Sequence, residues 1–297
     1  MAFAMVFAAI ALSDGDGAVM WPIASLTALI AALGFADDLN DLSAAMRFPI
    51  QLAIVAALLW TLGPLPAFPM PLGLKLDGWL LGAATLLVGL WWLNLFNFMD
   101  GIDAIAGSHA VLTLAGAATI WWTADIAAPT SPFFWLAIVG ACATAGFLLR
   151  NWPPARIFMG DAGSNSLALV VFAVALATIA GGMLAYEPWL ILPSVFVADA
   201  SVTLLRRLVR GERPWHAHRR HAYQQLSRLW GHRTVTLIYC AITAFWAWPL
   251  ALAAQHLHTF AWAVVMLAYA PLIGLALWAD AGGVDENTSL TVPTSSA

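Results

Sequence analysis

Asn94-Leu-Phe-Asn-Phe-Met-Asp-Gly-Ile-Asp-Ala-Ile-Ala-Gly107 joins two apolar runs, 78–97 and 105–124. Each run is near the roughly 20 residues that a helix needs to cross a bilayer. Asn94, Asn97, Asp100 and Asp103 recur at intervals of three. At a helix end that spacing puts the four polar groups on about one face. Polar groups at the mouth of an apolar span are costly unless something binds them. The stretch therefore reads as two membrane helices with a polar site at their junction.

The whole chain has the same character. Of its 297 residues 62% are hydrophobic and 9% charged, and the mean hydropathy is +0.83. That composition excludes a soluble globular domain. Runs between Pro, Gly and charged residues predict spans near 1–13, 18–36, 49–63, 78–97, 105–124, 132–150, 164–182, 187–205, 234–253 and 258–279. The expected fold is an all-α, polytopic transmembrane helical bundle of about ten spans. Residues 1–279 are expected to form one integral membrane domain, followed by a disordered cytoplasmic tail, 280–297, rich in Ser, Thr, Gly and acid. Sixteen Trp suit a chain with many interfacial positions. Cys142 and Cys240 both lie in apolar runs and read as small core residues. The N-terminus has neither a positive n-region nor a cleavage pattern, so no cleaved leader is expected. A net charge of −4 without a basic arm gives no sign of nucleic-acid binding.

Cation placement sets the expected sidedness. Connections after the second, fourth, sixth and eighth runs hold Arg47, Arg150, Arg156 and all eight Arg of 206–233, whereas Lys75 alone falls on the other side. By the positive-inside rule the Arg-bearing side is cytoplasmic. Parity then brings Asp37, Asp38, Asp41, Asp100, Asp103, Asp161 and the His-rich segment 216–221 to that same face, with Asp199 in the last turns of the eighth run.

Four segments carry the chemistry, each with a plainer alternative. Gly-Phe-Ala-Asp-Asp-Leu-Asn-Asp, 34–41, with Arg47 and Gln51 downstream, sets two carboxylates side by side. They want a divalent cation or a cationic partner, or else form a solvated helix cap. The opening stretch is a metal-and-phosphate candidate, or simply caps the next helix. In Asn151–Ser164, Pro153 and Pro154 hold the chain extended, and Gly160 and Gly163 flank Asp161, so its carboxylate and nearby amides can approach a ligand. The plainer reading is a tight interhelical turn. The Arg206–Arg233 connection holds eight Arg and four His. A topogenic loop accounts for the arginines better than for His216, His218 and His221, which suit phosphate binding. His109, His256 and His258 read as structural.

In this order the motifs GFxDD, NxxNxxDGIDxxAG, NxPPAxxFMGDxGS and HRxHxYQ resemble the polyprenyl-phosphate N-acetylhexosamine-1-phosphate transferases, a branch of glycosyltransferase family 4. That family includes initiators of O-antigen, enterobacterial common antigen and teichoic acid linkage synthesis. The phospho-MurNAc-pentapeptide transferase of cell-wall synthesis is a relative. The Ala-Asp-Ala of 198–200 and the HRRHAYQ form look nearer the O-antigen and common-antigen branch of lipopolysaccharide biosynthesis. The family normally opens with one more span and a basic Pro-Thr-Pro-Arg-Gly-Gly segment, neither of which precedes the first run here.

The resemblance implies attack of undecaprenyl or another polyprenyl phosphate on a UDP-N-acetyl sugar, releasing UMP, at the cytoplasmic face of a bacterial inner membrane. UDP-GlcNAc or a 6-deoxy sugar such as FucNAc or QuiNAc would be the donor. Mg²⁺ is the implied cofactor, with Mn²⁺ as a substitute, and a homodimer is compatible with the family. Carried over by motif, Asp161 and Asp100 would hold the metal, and Asp37, Asp38, Asp100 and Asp103 would form the catalytic acidic set. Asn94, Asn151, Phe158, His218, Arg219 and His221 would bind substrate, with Phe158 stacking on uracil. Competing readings are a transporter, which would favour mid-bilayer charges and repeated halves, a CDP-alcohol phosphotransferase, whose Asp spacing DGIDAIAG does not supply, and an inactive paralogue.

Overall fold

The computed structural model describes residues 17–212 and 219–283. Helices run over α1 (Gly17–Asn40), α2 (Ala44–Leu62), α3 (Gly78–Phe98), α4 (Ile105–Ala124), α5 (Pro132–Asn151), α6 (Gly160–Ala180), α7 (Tyr186–Ile191), α8 (Ser194–Val209), α9 (Ala222–Ile242), α10 (Trp248–His256) and α11 (Ala261–Trp278). A two-residue hairpin, β1 (Phe68–Pro69) and β2 (Lys75–Leu76), is the sheet among the described residues. This is an all-α polytopic membrane protein, the class expected from composition.

Ten spans are expected, and eight helical stretches among the described residues are long and apolar enough to cross a membrane. The first run lies outside the described residues. The eighth is broken at Leu192-Pro193 into α7 and α8, because proline interrupts the helical ladder. The ninth begins earlier than its apolar run. Helix α9 starts at Ala222, kinks at Gly231 and continues through a π-turn, Thr243–Ala247, into α10. Helix α1 runs on through Asp37 and Asp38 to Asn40, so the acidic pair is the helix's last turns rather than a loop.

Helix α6 is the axis of the bundle. After Asp161 it carries no charge, and every residue from Ser164 to Ile179 is buried. A helix apolar all round is stable only when surrounded. Helices α1 and α3 pack closely against it. Gly34 lets α1 touch the α6 backbone, since a Cβ there would collide with Asp161 and Ala162. Gly89 makes room for Val55 and Phe172 between α3 and its neighbours. Without a hydrophobic force between helices in lipid, such close packing is a main source of association.

The two ends of the bundle differ. At one, Tyr186 Oη donates to Pro66 O at 2.7 Å and Trp262 Nε1 to Pro69 O at 2.9 Å, pinning the hairpin. At the other meet the C-termini of α1, α3 and α5 and the N-termini of α6 and α9. Four residues assigned by composition to the tail are packed there: Arg206 Nη1 donates to Asp280 Oδ1 at 2.9 Å, and Gly282 N–H to Arg220 O at 2.6 Å. Residues 284–297 lie outside the described residues.

Candidate active site

The polar end of the bundle is organised on Asp161 in the first turn of α6. Its Oδ1 accepts from Asn97 Nδ2 at 2.7 Å, and Arg47 Nη1 stands 3.4 Å from Oδ2. Asn97 also donates to Ser164 Oγ at 3.1 Å. Behind it Asp38 accepts from the backbone N–H of Asp161 at 2.9 Å and of Ala162 at 3.3 Å, capping the helix. Gly160, with φ +63°, makes this approach feasible: a Cβ would stand 2.7 Å from the Asp38 carboxylate. Asp37 is buried, pairs with Arg47 and accepts from Leu42 N–H at 2.8 Å.

A cavity of about 350 Å³ opens beside Asp161. Asn97, Asp100, Asp103, Asn151, Phe158 and His232 contribute side chains to it. Burial, reinforced by the charge of Asp161, pushes the Asp100 carboxyl up to about 8. Asp103 is tethered on several sides. Its Oδ2 accepts from Ala155 N–H at 3.0 Å, its carbonyl from Thr236 Oγ1 at 2.9 Å, and His232 Nδ1 lies 3.3 Å from Oδ1. Asn151 joins the same turn to the loop before α6. It accepts from Ala104 N–H at 2.9 Å and donates to Ile157 O at 2.8 Å. Ala104 has φ +65°, unusual for a residue with a Cβ, so that bond supports a strained junction. Phe158 is 78% exposed at the rim.

Of the residues expected at the site, Asp100, Asp103, Asn151, Phe158 and Asp161 line one cavity. Asp37 and Asp38 stand behind Asp161 and act on it through Arg47 and the helix cap. Asn94, expected at the substrate, is turned to Gln51 Oε1 at 2.9 Å and to Leu90 O, so Asn97 takes the place facing Asp161. His221, also expected there, is buried beside Asp199 at 3.4 Å, and its backbone N–H donates to Gln224 Oε1 as α9 begins. Arg219 is exposed, its carbonyl accepting from Arg228. His218 lies outside the described residues.

Asp199, Tyr223 and His232 had been given no role in the site. Asp199 is buried and accepts from the N–H groups of Ala222 and Tyr223 and from Tyr239 Oη, thereby anchoring the start of α9. Tyr223 Oη then donates to Phe98 O at 2.8 Å, close against Gly101. A carboxylate inside an apolar run, seven residues before Arg206, was the available signal for Asp199. For His232 the signal was Gly231 in front of it.

Among the described residues no three His, Cys, Asp or Glu side chains gather to hold a metal unaided. Asp100 and Asp161 sharing a cavity, with the Asp100 carboxyl raised first by burial and then by the charge of Asp161, fit a hard cation that completes its shell with water and phosphate oxygens.

A family model described as glycosyl transferase family 4 matches residues 20–179. The chain belongs to glycosyl transferase family 4. The matched span contains every cavity residue except His232. Among this family-4 chain's relatives is the phospho-N-acetylmuramoyl-pentapeptide-transferase of Trichormus variabilis, 34% identical over 182 residues, 52% of this chain and 45% of that protein. A probable undecaprenyl-phosphate N-acetylglucosaminyl 1-phosphate transferase of Bacillus subtilis is 30% identical over 186 residues, 61% and 51% respectively. The phospho-N-acetylmuramoyl-pentapeptide-transferase of Synechococcus elongatus is 29% identical over 238 residues, 69% and 61%. The chain spans about half the length of the first two.

A second cavity, of about 300 Å³, lies toward the hairpin end among apolar side chains such as Leu81, Val88, Phe172 and Leu176. Among the described residues none of its lining is a carboxylate.

Proposed function

We propose that this protein transfers an N-acetylhexosamine 1-phosphate from a UDP-sugar to a polyprenyl phosphate at the cytoplasmic face of a bacterial inner membrane, releasing UMP. The carrying observation is that Asp100 and Asp161 share one cavity with an exposed aromatic ring, Phe158, on its rim. The relatives' names include an undecaprenyl-phosphate N-acetylglucosaminyl 1-phosphate transferase, which supports the same substrate classes here.

Phosphoryl transfer asks mainly for positioning and charge neutralisation from the protein. Asp100 and Asp161 would hold Mg²⁺, with Mn²⁺ as a substitute, which supplies neutralisation of the diphosphate charge. Asn97 and Arg47 orient Asp161, and Asp38 fixes its backbone. Phe158, on the loop stapled by Asn151, offers a stacking face for uracil. A phosphate monoester is largely ionised near neutral pH, its second pKa being about 6, so the acceptor needs no strong general base. Asp37, held by Arg47, suits an orienting role. The apolar cavity suits part of a prenyl chain.

The test incubates membranes containing the protein with undecaprenyl phosphate, Mg²⁺ and a panel of labelled UDP-N-acetyl sugars, GlcNAc and its 6-deoxy relatives included. Labelled prenyl diphosphate sugar and UMP are expected, and Asp161→Asn should abolish both while the protein stays folded in the membrane. Undiminished transfer by that variant would overturn the site.

A further inference from the structure

Among the described residues three carboxylates, Asp100, Asp103 and Asp161, line the cavity, and His232 is the one lining side chain that can carry positive charge. Arg47 touches Asp161 but is spent on Asp37 and does not line the space. A nucleoside diphosphate brings negative charge into this acidic lining, so any protein-borne donor to its phosphates matters more than its number suggests.

His232 is presented by the backbone. Gly231, with φ +76° and ψ 163°, breaks α9 between the turn-end helix 222–230 and the span that follows. That conformation suits glycine, and it carries the next residue to the cavity wall. The His232 side chain is 47% exposed, and Nδ1 accepts from the Asp103 backbone N–H at 3.5 Å and stands 3.3 Å from Oδ1. A ring nitrogen that accepts a hydrogen bond leaves the proton on the other, so Nε2 is the donor of the ring.

The plainer account makes His232 a tether for the Asp103 turn. That turn is already tethered one helical step along, where Thr236 Oγ1 donates to Asp103 O at 2.9 Å, and again by Ala155 N–H. A half-exposed imidazole adds little holding to a turn so pinned.

We propose that His232 is a donor-binding residue whose Nε2 hydrogen-bonds an anionic phosphate oxygen of the nucleotide. The inference rests on the transfer reading for its substrate, but its readout is binding. The detergent-solubilised full chain is titrated with UMP and with uridine, and donor kinetics are measured in parallel. His232→Ala should weaken UMP binding about tenfold while uridine binding stays within about twofold, His232→Gln should recover part of the loss by keeping a donor, and KM for the UDP-sugar should rise more than kcat falls. Thr236→Val, which removes the neighbouring tether, should leave UMP binding unchanged.

Unaltered UMP affinity in His232→Ala overturns the proposal. So does an equal loss for uridine, which would place His232 on the nucleoside, and so does an equal loss in Thr236→Val, which would make the effect structural. If the wild-type protein binds UMP in this His232-dependent way but transfers no sugar phosphate, the transfer reading fails and the binding assignment stands.

Discussion

Asp38 at the end of α1 accepts the backbone N–H of Asp161 at the start of α6, 2.9 Å away. One carboxylate of the adjacent acidic pair thus sets the position of the carboxylate that faces the cavity, through backbone rather than through a shared ligand. Removing the cap with Asp38→Ala should lower stability by about 0.5–2 kcal/mol, the usual worth of an N-cap. Transfer should fall further than that loss explains, because Asp161 moves with its amide. Asp38→Asn keeps an acceptor and should retain more of both. Thermal denaturation in detergent alongside donor kinetics separates the two effects.

Gly34 lies where α1 crosses the first turn of α6, and a Cβ there would run into the Asp161 backbone. Backbone cannot swing aside as a long side chain can. Gly34→Ala should cost about 1–3 kcal/mol by overpacking and depress transfer through the displaced Asp161. Gly146, whose added Cβ meets nothing within 4 Å, is the control: Gly146→Ala should leave both unchanged.

The Asp100 carboxyl, pushed up from an ordinary 3.8 to about 8, predicts how cation binding follows pH. Between those values the folded protein holds a proton that the unfolded chain has released. This group therefore favours the fold most at low pH, and its contribution is lost as pH rises through about 8. A divalent cation needs the ionised carboxylate, so it must displace that proton. Affinity for Mn²⁺ or Mg²⁺ should climb as pH rises from 6 toward 8, by up to about tenfold per unit, with proton release. Asp100→Asn should flatten the climb. Calorimetry in buffers of differing ionisation enthalpy measures both, and pH-independent binding would contradict the assignment.

Much of this was legible before the fold. Hydropathy shows the helices because lipid demands long apolar segments, and Arg placement grouped Asp37, Asp100 and Asp161 before any contact was known. What stayed hidden depends on rotation and bending. Asn94 and Asn97 have the same spacing logic, yet only the packing of α3 on α6 decides that Asn97 meets Asp161 while Asn94 meets Gln51. His232 read as part of an arginine-rich loop, since only the backbone at Gly231 brings it to the cavity. His221 read as a ligand from motif position, although Asp199 across the bundle holds it inside. The eighth run read as one span, 187–205, although Pro193 inside it splits the helix.

Asn151 offers the sharpest test of positioning against contact. Both ends of its amide are occupied by backbone, Ala104 N–H on one side and Ile157 O on the other. Its role here is to hold the Asp103 turn and the Phe158 loop at a fixed separation. Asn151→Ala leaves the buried Ala104 N–H unsatisfied, at about 1–3 kcal/mol, frees Ala104 from the bond supporting its left-handed backbone, and releases the exposed Ile157 carbonyl to water. Stability and transfer should both drop. Asn151→Asp restores an acceptor for Ala104 but not the donor for Ile157, so it should recover only part of the stability. Phe158→Ala touches neither bond. It should leave the melting temperature unchanged and raise KM for the UDP-sugar about tenfold, consistent with roughly 1–3 kcal/mol per stacked base, while Phe158→Trp keeps the stacking face and should bind near normally. If Phe158→Ala left KM unaltered while Asn151→Ala raised it without loss of stability, the contact would belong to Asn151 and the positioning role assigned to it would be wrong.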